Sequence, residues 1–317
     1  MEPYAAPAGA ILDRAAHHRS DPEWLASAWK RARIIMVDGS SLYTEHALVT
    51  EAGELVFVDA NDPVAAASDP AQRFFLGVDA DDTPYFAALG ALPERPGTRA
   101  VTTRQVGHAL PARDGGILVT AIALANWHAR HPYSPETGQA LDIREGGWSR
   151  ADSDGRQQWP RTDPAVIMLV HDDVAGDAGR CLLGHNAAWT PQSGQVRRYS
   201  CLAGFVEPGE SAEAAVEREV FEEVGVRVRA VRYASSQPWP YPGSLMLGFY
   251  AIADPDAPLN LDPAEIASAQ WFTRAEIRAA LTAMDTDGVT SVEPGLPMAS
   301  SIAYRLVRGW ANGPATP

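Results

Sequence analysis

Three carboxylates, Glu219, Glu222 and Glu223, stand at i, i+3 and i+4 in the segment 204–226, GFVEPGESAEAAVEREVFEEVGV. On a helix that spacing puts all three on one face, within reach of a shared cation. Their mutual repulsion is costly unless something positive sits among them. By residue type alone the face is either a divalent-metal site or a solvated acidic surface.

The elements that must position these side chains are legible around them. Gly204, Pro208 and Gly209 interrupt the pattern and read as a loop entering the helix. Ser211 is placed to cap the first turn, and Glu213 lies near the positive end of the helix dipole. Gly225 suits the position that closes the helix. Ala214, Ala215, Val216, Val220 and Val224 supply an apolar side to pack on a core.

Composition bounds what the rest can be. At 317 residues the chain is long enough for two domains, and 46% hydrophobic with 21% charged residues is ordinary for a globular enzyme. A net charge of −14 disfavours nonspecific nucleic-acid binding while allowing a local basic pocket. Arg197 and Arg198 are candidates for such a pocket or are exposed solubilising residues. With only Cys181 and Cys201, the chain has no disulfide framework and no cysteine-based metal cluster. The amino-terminal stretch lacks the basic-then-apolar order of a signal peptide, and no apolar run is long enough for a bilayer span. A soluble, cytoplasmic protein without membrane association is expected. No GxxxxGK[ST], GxGxxG or G-x-S-x-G pattern occurs, so dinucleotide binding would not mean hydride transfer.

Along the chain, 1–15 reads as an extended arm, followed by a helix signalled by Ser20-Asp21-Pro22-Glu23. Short strand-like runs follow at 34–37, 47–50, 55–58, 74–78 and 84–89, then a helix over 105–130. The turn-rich segment 133–163 holds a hairpin around Gly146-Gly147. Strands are expected at 165–170, 180–184, 199–203, 229–234 and 245–253, with helices at 274–284 and 300–310.

The order Gly204, five residues, Glu210, seven residues, Arg218-Glu219-Val220-Phe221-Glu222-Glu223-Val224-Gly225-Val226 resembles the Nudix box at every fixed position. The resemblance implies a hydrolase that uses Mg²⁺ or Mn²⁺ to cleave a nucleoside diphosphate linked to another moiety. Ten residues further on lies Ser236-Gln237-Pro238-Trp239-Pro240-Tyr241-Pro242-Gly243-Ser244. Its alternate prolines hold the backbone extended, which would present Trp239 and Tyr241 rigidly to a flat base. A Pro-rich crossover loop packed on the core is the plainer reading of the same residues. In this position SQPWPYPGS resembles the signature of the NADH pyrophosphatase family, in which Phe is usual at the place of Tyr241.

That resemblance, strong over about 120–317, implies more. The backbone carbonyl of Ala203 and the carboxylates of Glu219, Glu222, Glu223 and Glu265 would be metal ligands. Phe205 would stack on a substrate ring, and Trp159, Ser244 and Ala303 fall at positions used for the dinucleotide. Arg218 would orient the carboxylates and Glu210 would join their network or act as base, with Glu222 and Glu265 the main contenders for the base. The family's zinc ribbon needs two Cys pairs; Ser134, Thr137, Ala151 and Asp154 stand there, so no structural zinc is expected, with His128 and His131 the residual zinc candidates.

The fold expected is α/β: a Nudix α/β/α sandwich with a mixed sheet at 163–317, a small β-rich domain at 1–125 and a metal-free ribbon-like segment at 126–162. The N-terminal part would help form a homodimer or shape the pocket. The expected reaction is hydrolysis of NADH or NAD to NMN(H) and AMP, with NAD-capped RNA as a second substrate. The alternatives are a Nudix hydrolase of ADP-ribose or a diadenosine polyphosphate, and a catalytically silent nucleotide sensor.

Overall fold

A computed structural model describes residues 12–38, 46–189, 196–287 and 292–313. The expected arm at 1–15 falls mainly outside them. The chain divides into two compact units, Met1–Thr162 with Pro238–Ser244, and Asp163–Gln237 with Leu245–Pro317.

In the first unit the elements run α1 (Pro22–Trp29), β1 (Arg33–Val37), β2 (Ala47–Thr50), α2 (Pro63–Ala66), β3 (Arg73–Val78), β4 (Pro84–Leu89), β5 (Thr98–Val101), α3 (Thr103–Val106) and α4 (Ala112–Arg130). Asp21 caps α1 by accepting from the Trp24 N–H. β1 and β3 flank β4, parallel and antiparallel respectively. Strand alternation sends successive residues to opposite faces. Ile35, Val37, Phe74, Leu76, Tyr85 and Ala87 therefore meet Ile117, Leu118, Ala121 and Ile122 of α4. Ile34, Met36, Phe75, Phe86 and Ala88 meet Ala28 and Trp29 of α1. The β-rich N-terminal domain thus carries helices on both faces. Residues 55–58 form no strand: Leu55 bridges Val49 while Val58 bridges Ile34, so the run is divided between two neighbours.

Three short antiparallel strands follow, β6 (Asp142–Arg144), β7 (Ser149–Ala151) and β8 (Gln157–Gln158), the first pair forming the hairpin expected around Gly146-Gly147. The turns flanking this sheet are held by side-chain oxygens. Buried Ser134 accepts at Oγ from the N–H groups of Glu136 and Thr137, each at 3.3 Å. Asp152 Oδ1 accepts from those of Asp154 and Arg156 at 3.0 and 2.9 Å. Ser153 Oγ joins the turns by donating to Gln139 Oε1 at 2.9 Å. His128 is buried, with Nε2 2.8 Å from the Gly147 carbonyl, and burial pushes its pKa down to about 4. His131 bonds the Trp127 carbonyl at 2.8 Å. Both histidines are thus engaged within the unit.

The second unit contains β9 (Asp163–His171), β10 (Arg180–Asn186), β11 (Leu202–Phe205), α5 (Ala212–Val224), β12 (Val228–Trp239), β13 (Ser244–Ala253), β14 (Ile266–Thr273), α6 (Arg274–Asp287) and α7 (Ile302–Asn312). The strands form one sheet in the order β12-β13-β9-β10-β14, with β11 on β9. Val166, Met168 and Val170 of β9 face Val216, Val220 and Val224 of α5. Ile167 and Leu169 face Ile277 of α6 and Ile302, Leu306 and Trp310 of α7. Among the described residues this is an α/β/α sandwich with α5 alone on one face.

Candidate active site

Helix α5 forms where its caps demand. Ser211 Oγ accepts from the Ala214 N–H at 3.2 Å, and Gly225 ends the helix at φ 74°, a left-handed conformation that favours glycine. The Asn260 and Asp262 N–H groups donate to the Val224 and Glu223 carbonyls at 2.9 and 3.1 Å. This straps the turn leading to Glu265 onto the end of α5.

The three helix carboxylates have unequal surroundings. Glu223 is 4% exposed, and its Oε2 has no hydrogen-bond partner among the described residues. Burial, followed by the charges of Glu219 and Glu265, pushes its pKa up to about 8 against an N–H bond from Ala203. Glu219 is 8% exposed and also raised by burial. Glu265, exposed in the turn before β14, adds like charge to both carboxylates. Glu222 is exposed.

Arg218 ties the cluster together. Its Nε and Nη2 fork onto Glu210 at 2.9 Å each, its Nη1 donates to Glu219 Oε1 at 2.8 Å and Glu222 Oε2 at 2.9 Å, and its Nη2 also reaches the Phe205 carbonyl at 2.9 Å. Glu210 further accepts from the Glu207 N–H, and the guanidinium holds its carboxyl below the usual range. Glu210 and, through Oε2, Glu222 are both bonded to Arg218.

The donor set fits a divalent cation. A buried carboxyl oxygen with no partner among the described residues, resisted in ionising by burial and by like charge, is a group that a cation would satisfy. A Cβ at Gly204 would fall 1.9 Å from the Glu219 carboxyl, so the backbone of β11 leaves the space that this carboxylate fills. Among the described residues no three His, Cys, Asp or Glu side chains converge on a single point.

Other residues singled out in the sequence fall as follows. Phe205 and Trp159 are exposed, at 57% and 60%. Gln237 is buried: its Nε2 donates to the Ser300 carbonyl and its Oε1 accepts from the Ile302 N–H, at 2.8 and 2.6 Å, fastening the start of α7 just before buried Ala303. Its amide is thus engaged within the protein. Pro238–Ser244 belongs with the first unit. Trp239 is half-buried, whereas Tyr241 is 9% exposed and Ser244 7%. The expectation that both rings are displayed is corrected to one, because Tyr241 carries a hydroxyl that is bonded inside the unit. Arg198 lies 3.9 Å over the Trp189 ring and Arg197 reaches Ser268 Oγ at 3.4 Å.

Residues 161–290 match the NUDIX domain, and 31–127 match the NADH pyrophosphatase-like rudimentary NUDIX domain. The chain is 39% identical over 305 residues to the NAD-capped RNA hydrolase NudC of Mycobacterium bovis (strain BCG / Pasteur 1173P2), covering 94% of this chain and 92% of that protein. The chain belongs to the NudC family of Nudix hydrolases. Within that family, the Mycobacterium tuberculosis (strain H37Rv) NAD-capped RNA hydrolase NudC is 38% identical over the same shares. The human NAD-capped RNA hydrolase NUDT12 is 36% identical over 210 residues, 63% of this chain and 42% of that protein.

Sequence reasoning missed three residues of this NudC-family chain that touch the Pro-rich turn: Thr103, Arg104 and Asn126. They lie more than a hundred residues before it and form no motif, so only folding brings them there.

Proposed function

We propose that the chain hydrolyses the pyrophosphate bond of NADH and NAD, giving NMN(H) and AMP, and removes NAD caps from RNA 5′ ends. The observation that supports this reading is the buried Glu223 carboxyl, one oxygen of which has no partner among the described residues, on the same helix as Glu219 and Glu222. Family membership and the names of the relatives support the choice of dinucleotide.

Glu219, Glu222, Glu223, Glu265 and the Ala203 carbonyl would hold Mg²⁺ or Mn²⁺. Such an ion supplies charge to neutralise pyrophosphate oxygens and acidifies water. Arg218, fixed by Glu210, holds Glu219 and Glu222 in register along the helix. Glu222 or Glu265 takes the proton of the attacking water, and attack on the adenylate-side phosphorus releases NMN(H). Phe205, exposed beside the Arg218-bonded carbonyl, stacks on a substrate ring. Trp239 and Trp159 offer further aromatic faces.

The ribbon-like sheet 142–158 keeps its form without zinc, through the Ser134 and Asp152 turns. The enzyme works in the cytoplasm as a homodimer, a reading that rests on family membership; no helix among the described residues is long and apolar enough to cross a membrane.

The test is mass-resolved product identification with NADH, NAD, NAD-capped RNA and ADP-ribose in Mn²⁺ or Mg²⁺. NMN(H) release from the first three is expected. Turnover of ADP-ribose alone would move the substrate to another nucleoside diphosphate.

A further inference from the structure

The Pro-rich turn is built from one part of the sequence and fastened by another. Thr103 Oγ1 and the Tyr241 hydroxyl lie 2.6 Å apart, and both residues are buried. Asn126, 1% exposed, donates from Nδ2 to the Pro240 carbonyl at 2.7 Å. Its Oδ1 has no partner among the described residues. A buried amide satisfied at one end only is costly, so the bond to Pro240 is what sets its position. The Arg104 guanidinium lies 4.2 Å from the Tyr241 ring centroid and 5.5 Å from that of Trp239. Trp239 and Tyr241 themselves meet edge to face at 5.4 Å.

These contacts leave the two aromatic rings in different states. Tyr241 is gripped at its hydroxyl, over its ring and at the preceding carbonyl, and is almost lost from the surface. Trp239, one ring away, keeps an accessible face. Prolines restrict φ but do not decide which way the tip of a turn points. The direction of the Trp239 ring is set by what holds its neighbours.

We propose that Thr103, Arg104 and Asn126 are positioning residues for nucleotide recognition. Through Tyr241 and Pro240 they hold the Trp239 ring in the orientation that receives a flat base or nicotinamide. The proposal rests on the dinucleotide reading given above and assigns the first unit a part in it. A ring already held in place loses less freedom when substrate arrives, so the contribution appears in substrate affinity.

The experiment is a double-mutant cycle in the full-length chain, with Thr103→Val, Tyr241→Phe and the pair, together with Asn126→Ala. Steady-state NADH hydrolysis in Mn²⁺ and melting temperature are measured for each. Each single substitution of the pair is expected to raise KM about five- to tenfold, with kcat within twofold and the Mn²⁺ requirement unchanged. The double variant's rise is smaller than the product of the two, because neither hydroxyl is then buried alone. Asn126→Ala is expected to raise KM to a similar degree. Lowered melting temperatures with unchanged KM would overturn the proposal, leaving a purely structural tie. Independent multiplication of the two effects would also overturn it. Arg104→Met, at an exposed position, provides a variant that does not threaten folding, with KM expected to rise two- to threefold. If the wild type does not turn over NADH, the functional reading fails separately, and calorimetric titration with NAD reads the same cycle in Kd. No NAD binding by the wild type overturns both.

Discussion

At the scale of residues, the chemistry turns on a carboxylate the fold leaves unsatisfied. Glu223 is buried with one oxygen bonded to nothing among the described residues, while Glu219 and Glu265 add like charge. A protein keeps such a group where a cation compensates it. Burial opposes ionisation of Glu223, which the unfolded chain permits, and Glu223→Gln removes that cost, so the metal-free variant is expected to melt a few degrees higher than wild type near neutral pH, about 1 kcal/mol of stabilisation. The same variant loses the rise in melting temperature that Mn²⁺ gives the wild type. Thermal scans with and without Mn²⁺ read both effects, and a lower metal-free melting temperature would contradict the account. Arg218 plays the complementary part. Its fork onto Glu210 sets a guanidinium between Glu219 and Glu222.

At the scale of elements, caps and close approaches decide where those residues stand. Ser211 and Gly225 delimit α5, and Gly204 gives Glu219 its space. The two caps are legible in the sequence, because capping requires particular residue types at particular places, whereas Gly204 reads there as loop and lies in β11 against Glu219. The roles of Tyr241 and Gln237 are not legible, since their partners, Thr103 and Ser300–Ile302, lie 138 and 63–65 residues away. The continuous apolar run of β9 announces a strand but not that its two faces meet α5 and α7. The ribbon-like segment shows both sides of this. Missing cysteines are plain to read, while the replacement is not, because Asp152 and the Ser153–Gln139 bond stand outside the four cysteine positions. Ser134→Ala or Asp152→Ala is expected to cost about 1–2 kcal/mol in urea unfolding, by freeing turn N–H groups. Metal analysis of the wild type is expected to find no stoichiometric zinc. Stoichiometric zinc that survives dialysis would sink the metal-free ribbon.

At the scale of the whole molecule, charge and layering set what can approach. A net charge of −14 repels an RNA body, so a capped RNA would be engaged through its dinucleotide. Raising salt from about 50 to about 200 mM is therefore expected to change KM for NAD-capped RNA by less than roughly fivefold. A change of a hundredfold would mean many phosphate contacts and a basic track along the surface. The two units share a layered plan, helices on both faces of a sheet, but the paired carboxylates stand on α5 of the second alone. Within the first unit, Thr103 and Asn126 bond the Pro-rich turn. The central claim is that the α5 carboxylates drive pyrophosphate cleavage of NAD(H). It is tested most directly by mass-resolved NADH turnover in Mn²⁺, wild type against Glu219→Gln. The account predicts equimolar NMNH and AMP from the wild type and a loss of at least about 10²-fold in kcat for the variant, with its fold intact. Unchanged turnover by Glu219→Gln, or products other than NMNH and AMP, would contradict it.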